Sequence, residues 1–222
     1  MARIMALDGG SQSMTIAILP TADGRLELNL RPWPDLSEDE FFRLCAANRV
    51  LRMERLATGE IVIMPPAGGA SSNRNVRIAS DLEVWTEQDG TGICFDSSAG
   101  FRLPDGAVFA PDAAWVAGER LAGYTDEQFE GFLPLCPDFV VEIRSRTDRR
   151  VQLMAKMDQY IANGARLGFL IDPYERSVDV YRPGPGHSPE HLVAPDRIAG
   201  DPELPGFVLE LERIWRGLRS GA

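Results

Sequence analysis

Three consecutive segments in the middle of the chain constrain its fold more than any other feature. Residues 139–143 form an apolar run of strand length, residues 149–163 have the length and periodicity of a helix, and residues 167–171 form another apolar run. A helix over 73–88 and several short strands precede them. This order of helix, strands, helix and strand predicts a mixed α/β sheet flanked by helices.

The segments outside this core are predicted from turn and cap residues. Residues 14–19 and 25–30 form a predicted hairpin, as do residues 50–56 and 60–64, and Ser37 and Glu40 have the spacing of a capping box that opens a short helix. Further strands are predicted near 92–96, 101–103, 107–116 and 177–181. We expect an N-terminal arm over residues 1–35, and one domain over residues 36–222.

Size and charge restrict the function classes. The 222 residues are 44% hydrophobic and 25% charged, which is ordinary for a soluble globular protein. No apolar stretch has the length of a membrane span, and three scattered cysteines are typical of reduced thiols, so a cytoplasmic protein is expected. The net charge of −10 argues against a broad polyanion binder but allows a local basic groove.

Two carboxylates occupy positions that require an explanation. Asp112 follows Pro111 at the start of a predicted strand, and Glu142 interrupts the apolar run 139–143. Burying a carboxylate is costly unless it is paired or binds a metal, and Mg²⁺ characteristically takes one or two carboxylates. The alternative is that Asp112 caps a turn and Glu142 pairs with an arginine.

Lys156 is the single lysine among 23 cationic side chains. Lysine offers a compact ammonium that can orient a water, whereas the guanidinium of arginine needs a planar partner. Helical periodicity assigns the buried stripe to Val151, Met154, Met157 and Ile161, which places Lys156 on the flank, within reach of the Glu142 strand. The alternatives are a catalytic lysine and a solvated flank residue.

An ordered series of motifs extends over most of the chain. It consists of Ala57-Thr58-Gly59-Glu60, Met64-Pro65-Pro66, Pro111-Asp112, the segment 137–145, Lys156-Met157-Asp158-Gln159-Tyr160, the segment 163–168, Leu170-Ile171-Asp172-Pro173, the segment 180–184 and Leu204-Pro205-Gly206-Phe207. This series resembles the Uma-type family of putative restriction endonucleases, in the PD-(D/E)XK nuclease superfamily, and the resemblance covers about residues 36–215. One departure is Arg146-Thr147, where the family usually has proline.

The resemblance implies a restriction-endonuclease-like α/β (α+β) fold with an αβββαβ-type core. It also implies that Asp112 and Glu142 are metal ligands, with the backbone carbonyl of Ile143 completing the coordination. Lys156 would be the catalytic lysine, moved from the sheet onto the helix, and Glu60 would be the additional acidic residue of the family.

The densest basic cluster lies directly beside this implied site. Arg144, Arg146, Arg149 and Arg150 could bind DNA phosphates or neutralise nearby acidic residues, and the sequence favours neither.

The function expected is a Mg²⁺- or Mn²⁺-dependent DNA endonuclease that hydrolyses phosphodiester bonds, acting as a homodimer. Two rivals remain open. One is a catalytically silent nuclease fold that serves as a nucleic-acid-binding or regulatory module. The other is a different carboxylate hydrolase such as a glycosidase, for which no aromatic sugar platform is evident.

Overall fold

The computed structural model describes residues 17–20, 26–29, 36–184, 186 and 188–218. The chain divides into two compact units, residues 1–66 and residues 67–222. In the described residues, no helix combines the length and the apolar character needed to cross a membrane. The domain boundary near residue 35 stays a prediction.

The described residues of the first unit form four antiparallel strands and one helix. They are β1 (Ala17–Pro20), β2 (Leu26–Asn29), α1 (Glu38–Ala47), β3 (Arg52–Arg55) and β4 (Ile61–Met64). The strands lie in the order β1-β2-β4-β3, so β2 of the predicted arm pairs with β4. Both predicted hairpin pairings are confirmed for the described residues, and the turn 21–25 lies outside them. The capping box of α1 is confirmed, because Ser37 and Glu40 each satisfy a backbone N–H of the other.

The second unit contains the remaining elements. They are α2 (Gly69–Asp89), β5 (Gly92–Asp96), β6 (Phe101–Arg102), β7 (Val108–Phe109), β8 (Ala113–Ala117), α3 (Gly118–Leu121), α4 (Asp126–Phe129), β9 (Phe139–Ile143), α5 (Arg150–Ala162), β10 (Leu167–Asp172), β11 (Ser177–Tyr181), β12 (Glu190–Val193), β13 (Arg197–Ala199), β14 (Val208–Glu210) and α6 (Glu212–Trp215). Six strands form a mixed sheet in the order β12-β11-β10-β9-β8-β5. Only the β9–β10 pair is parallel among these neighbours. The predicted mixed sheet flanked by helices is confirmed.

The two long helices cover opposite faces of this sheet. Ile78 and Leu82 of α2 pack in one buried cluster with the odd-numbered residues of β9 and β10. Helix α5 covers the even-numbered face, where Gly168 leaves room for Met157: a Cβ at Gly168 would lie 2.4 Å from the Met157 Cε. Because side chains alternate along a strand, Glu142 belongs to the face that α5 covers.

Two expectations about local structure were wrong. The strand predicted over 107–116 is two strands, β7 and β8, because Pro111 between them has no N–H to continue the ladder. The inward face of α5 consists of Leu153, Met157 and Tyr160, whereas Val151 is 68% exposed. The helix is therefore rotated relative to the predicted stripe, and the row that contains Lys156 faces inward.

Candidate active site

Asp112 and Glu142 lie beside each other at one end of the β8–β9 pair. Ala113 is registered with Val141, so the next residues outward are Asp112 on one strand and Glu142 on the other. The Asp112 amide donates to the Val141 carbonyl at 3.0 Å, which ties the Pro111-Asp112 turn to β9. The sheet therefore brings together the two carboxylates that the sequence singled out.

The Glu142 carboxylate is buried, and two side chains of α5 contact it. Its Oε1 lies 2.7 Å from the Lys156 Nζ and accepts a hydrogen bond of 3.1 Å from the Tyr160 hydroxyl. The side chains of Glu142 and Lys156 are only 5% and 14% exposed. A buried carboxylate is tolerated when it is paired and hydrogen-bonded in this way. The lysine predicted to reach the Glu142 strand does so.

Two aromatic rings surround the Lys156 ammonium. The Nζ lies 5.2 Å from the centroid of Phe109 and 5.8 Å from that of Tyr160. These two rings pack edge to face, with centroids 5.5 Å apart. Ring faces attract a cation and exclude water at the same time, so they strengthen the pairing with Glu142.

The Asp112 carboxylate is held by hydrogen bonds from two different elements. Its Oδ1 accepts from the Asn75 Nδ2 of α2 at 2.7 Å, and its Oδ2 accepts from the Ile143 amide at 2.8 Å. The Asn75 Oδ1 is buried and has no hydrogen-bond partner within the described part of the chain. An oxygen acceptor next to two carboxylates adds to the oxygen-rich character of this end of the sheet.

A second aspartate after a proline has a different role. Asp138 lies at the opposite end of β9 from Glu142, where its Oδ2 lies 2.9 Å from Arg120 and accepts from the Ala117 amide at 2.9 Å. This carboxylate therefore joins two strands and a short helix. Of Pro111-Asp112 and Pro137-Asp138, the first is the dipeptide beside Glu142.

The four predicted DNA-binding arginines fall into two pairs. Arg144 and Arg150 form ion pairs with the buried carboxylates of Asp172 and Asp179, the first at 2.7 Å. Arg146 and Arg149 are exposed. Arg144 and Arg150 thus each neutralise an acidic residue. DNA contact by any of the four stays a prediction.

Asp172 is held in its ionised form. Burial, the largest single influence, raises the pKa of this carboxyl. Hydrogen bonds from Arg144 and from the amides of Glu175 and Tyr174 outweigh burial and bring the pKa below its ordinary value. The negative charge that fixes Arg144 therefore persists at neutral pH.

Glu60 lies in the first unit, directly before β4, where its carbonyl accepts from the Leu56 amide at 2.9 Å. Its predicted support of the metal stays a prediction. Among the described residues, no group of three or more His, Cys, Asp or Glu could hold a metal ion. An ion at Asp112 and Glu142 would therefore be bound by two carboxylate side chains.

The sequence interpretation missed Asn75 and Phe109 and gave Tyr160 no role. Tyr160 lies four residues after Lys156 and so one helical turn away, a signal that could have placed it beside the lysine. No local signal marks Asn75, because its contact with Asp112 joins residues 37 positions apart.

The chain matches a protein-family model and is similar to solved structures. The Uma2 family model, described as "Putative restriction endonuclease", matches residues 38–212. A crystal structure of a putative nuclease belonging to DUF820 from Anabaena variabilis is similar in fold, with a TM-score of 0.65 and 20% identity over 82% of this chain and 98% of that chain. No protein of curated function matches. Because the family model matches most of its length, the chain belongs to the Uma2 family of putative restriction endonucleases.

Proposed function

We propose that this protein is a metal-dependent endonuclease that hydrolyses phosphodiester bonds in DNA. The observation that carries the proposal is the buried contact of 2.7 Å between the Lys156 Nζ and the Glu142 Oε1, at the sheet end where Asp112 lies. Two carboxylates can hold the metal ion for phosphodiester hydrolysis, and a lysine beside them can position the attacking water. Membership of a family of putative restriction endonucleases supports the same reaction class.

The residues present fit a hard divalent cation. Mg²⁺ and Mn²⁺ prefer oxygen ligands, and Mg²⁺ is commonly bound by one or two carboxylates together with waters and substrate phosphates. The side chains of Asp112 and Glu142 and the backbone carbonyl of Ile143 would hold the ion. The buried Asn75 Oδ1, which has no partner in the described chain, offers an acceptor for a water in the same place. When bound, the cation would polarise a phosphoryl oxygen and lower the pKa of a water.

Lys156 would position the attacking water. An ammonium has three N–H donors, so it can bind Glu142 and also donate to a water or a phosphoryl oxygen. The rings of Phe109 and Tyr160 restrict where the ammonium can lie. Its positive charge would also offset the charge that develops on the phosphate.

Hydrolysis of the phosphodiester bond consumes only a water molecule. The water oxygen bonds to phosphorus, the ester bond to the leaving sugar oxygen breaks, and that oxygen takes up a proton. The described part of one chain carries one such site, and restriction-type cleavage usually uses two sites, one for each strand. A homodimer would supply this second site.

The test is nicking of a supercoiled plasmid with Mg²⁺ or Mn²⁺, with EDTA as the metal-free control. We expect the wild type to cleave the plasmid. Glu142→Gln and Lys156→Arg should each lower the cleavage rate about 100-fold or more, which is the scale for removal of a preorganised electrostatic group. The matched control is Glu175→Gln, an exposed carboxylate whose loss changes the net charge equally.

Cleavage that survives both site substitutions would show that the site is wrong. Wild-type protein that binds the plasmid but does not cleave it with either metal would favour the rival, a silent nuclease-fold binding module.

A further inference from the structure

Three arginines surround the ring of Tyr174, in the turn that follows β10. The guanidinium carbon of Arg146 lies 4.9 Å from the ring centroid, that of Arg74 5.8 Å, and that of Arg144 5.9 Å. They come from two elements far apart in sequence, because Arg74 belongs to α2 and the other two follow β9. The fold itself therefore gathers three positive charges about one aromatic side chain.

The positive charge in this cluster is not balanced. Arg144 is paired with Asp172 at 2.7 Å. Arg74 is 7% exposed and its Nε donates to the Ile214 carbonyl, but its Nη1 is buried without a hydrogen-bond partner in the described part of the chain. Arg146 is exposed, and no carboxylate of the described residues forms an ion pair with it. Leaving a buried guanidinium N–H unsatisfied is costly, so the cluster is suited to receive an anion.

Two of the three arginines are close in sequence to residues of the candidate active site. Arg74 precedes Asn75, which donates to Asp112, and Arg144 is two residues beyond Glu142. An anion held here would lie next to the two carboxylates. The protein has a net charge of −10, so a local positive cluster would concentrate its attraction for anions at this position.

We infer that Arg74, Arg144 and Arg146, gathered around Tyr174, form a phosphate-binding site that holds the polynucleotide backbone beside the scissile bond. This inference rests on the proposed nuclease function for its choice of ligand. Guanidinium groups match phosphate oxygens with two parallel hydrogen bonds and stack on aromatic rings, so arginine and tyrosine suit such a site. Tyr174 is a positioning residue: its ring keeps the guanidinium groups of Arg74 and Arg146 close together.

Arg146 is the best residue for a test, because its exposure makes misfolding on substitution less of a concern than at buried Arg74. The assay is fluorescence anisotropy with a labelled double-stranded oligonucleotide in EDTA, so that binding is measured without cleavage. Arg146→Gln should weaken binding about tenfold, the size of a charge-assisted hydrogen bond. It should also reduce the slope of log Kd against log salt concentration by about 0.9, the value for one phosphate contact.

The matched control is Arg197→Gln, an exposed arginine on β13 that removes the same charge. Arg197→Gln should leave the affinity and the salt slope close to those of the wild type, and Arg146→Lys should restore most of the slope. Equal effects of Arg146→Gln and Arg197→Gln would overturn the site, because they would show that only net charge matters.

The outcomes separate this inference from the proposed function. If Arg146→Gln alters binding as expected but the wild type does not cleave plasmid, the phosphate site stands and the endonuclease proposal fails. If plasmid is cleaved but Arg146→Gln binds like the wild type, the phosphate site fails alone. Wild-type protein that does not bind the oligonucleotide would overturn both the site and DNA as the substrate.

Discussion

The Lys156–Glu142 pair should contribute to folding stability, in addition to its role in the proposed reaction. Lys156→Met retains a long apolar side chain but removes the ammonium, which leaves the Glu142 charge buried and only 5% exposed. Breaking a buried ion pair costs about 3–5 kcal/mol. The Tyr160 hydroxyl still donates to Glu142, so we expect the lower end, about 3 kcal/mol. For a chain of this size, each kcal/mol lost from the free energy of unfolding lowers Tm by about 2–4 °C, so Tm should fall by about 6–12 °C.

A double-mutant cycle measured by urea unfolding in EDTA checks this reasoning. Glu142→Gln removes the charge that Lys156 compensates, so the double variant should recover most of the loss, with a coupling energy of about 2 kcal/mol or more. The control is Arg213→Met, which breaks the exposed pair with Asp81 at 3.3 Å and should cost less than about 1 kcal/mol. The reasoning is refuted if Lys156→Met lowers the free energy of unfolding no more than this control does. It is also refuted if Lys156→Met lowers that free energy equally in the wild type and in the Glu142→Gln variant.

Two further predictions concern side chains that flank the site. Asn75→Ala removes the 2.7 Å hydrogen bond to Asp112, so the Mg²⁺ concentration for half-maximal plasmid cleavage should rise about 10- to 100-fold, with thermal unfolding as a check on folding. Asp172→Asn should lower the free energy of unfolding by about 2 kcal/mol at pH 7, because it weakens the charged bond from Arg144. The pKa of Asp172 is lower in the folded protein than the ordinary 3.8 of an aspartate, so its contribution is complete above pH 3.8 and is lost as the pH falls through the folded pKa. The difference between wild type and variant in urea unfolding should therefore persist at pH 5 and shrink below pH 3.8; a difference that grows on acidification would contradict this assignment.

The sheet and its two carboxylates could be predicted because their signals are local. An apolar run interrupted by Glu142 identifies a strand in which one side chain needs a partner, and Pro111 marks where the strand with Asp112 begins. Neighbouring strands then bring the two carboxylates to one end of the sheet, as the register of Ala113 with Val141 does.

The orientation of α5 could not be predicted in the same way, because hydrophobic periodicity counts a lysine and a tyrosine as outward residues. In the structure, Lys156 and Tyr160 face inward because Glu142 accepts from both. Their polar atoms are satisfied by a strand that the helix sequence does not reveal. The apolar Val151, by contrast, is exposed at 68%. A polar partner across the sheet overrides the hydrophobic pattern in this helix.

The contrast between arginine and lysine in this chain follows from what each group contacts. Arg144 and Arg146 lie against the Tyr174 ring, where a planar guanidinium can stack. Lys156 instead lies between Glu142 and two aromatic rings, and only 14% of its side chain is exposed. A larger planar cation there would have to displace a ring or lose the 2.7 Å contact with Glu142. The single lysine therefore occupies a position at which arginine could not keep the same contacts, and this is why Lys156→Arg tests the site more strictly than removal of the charge.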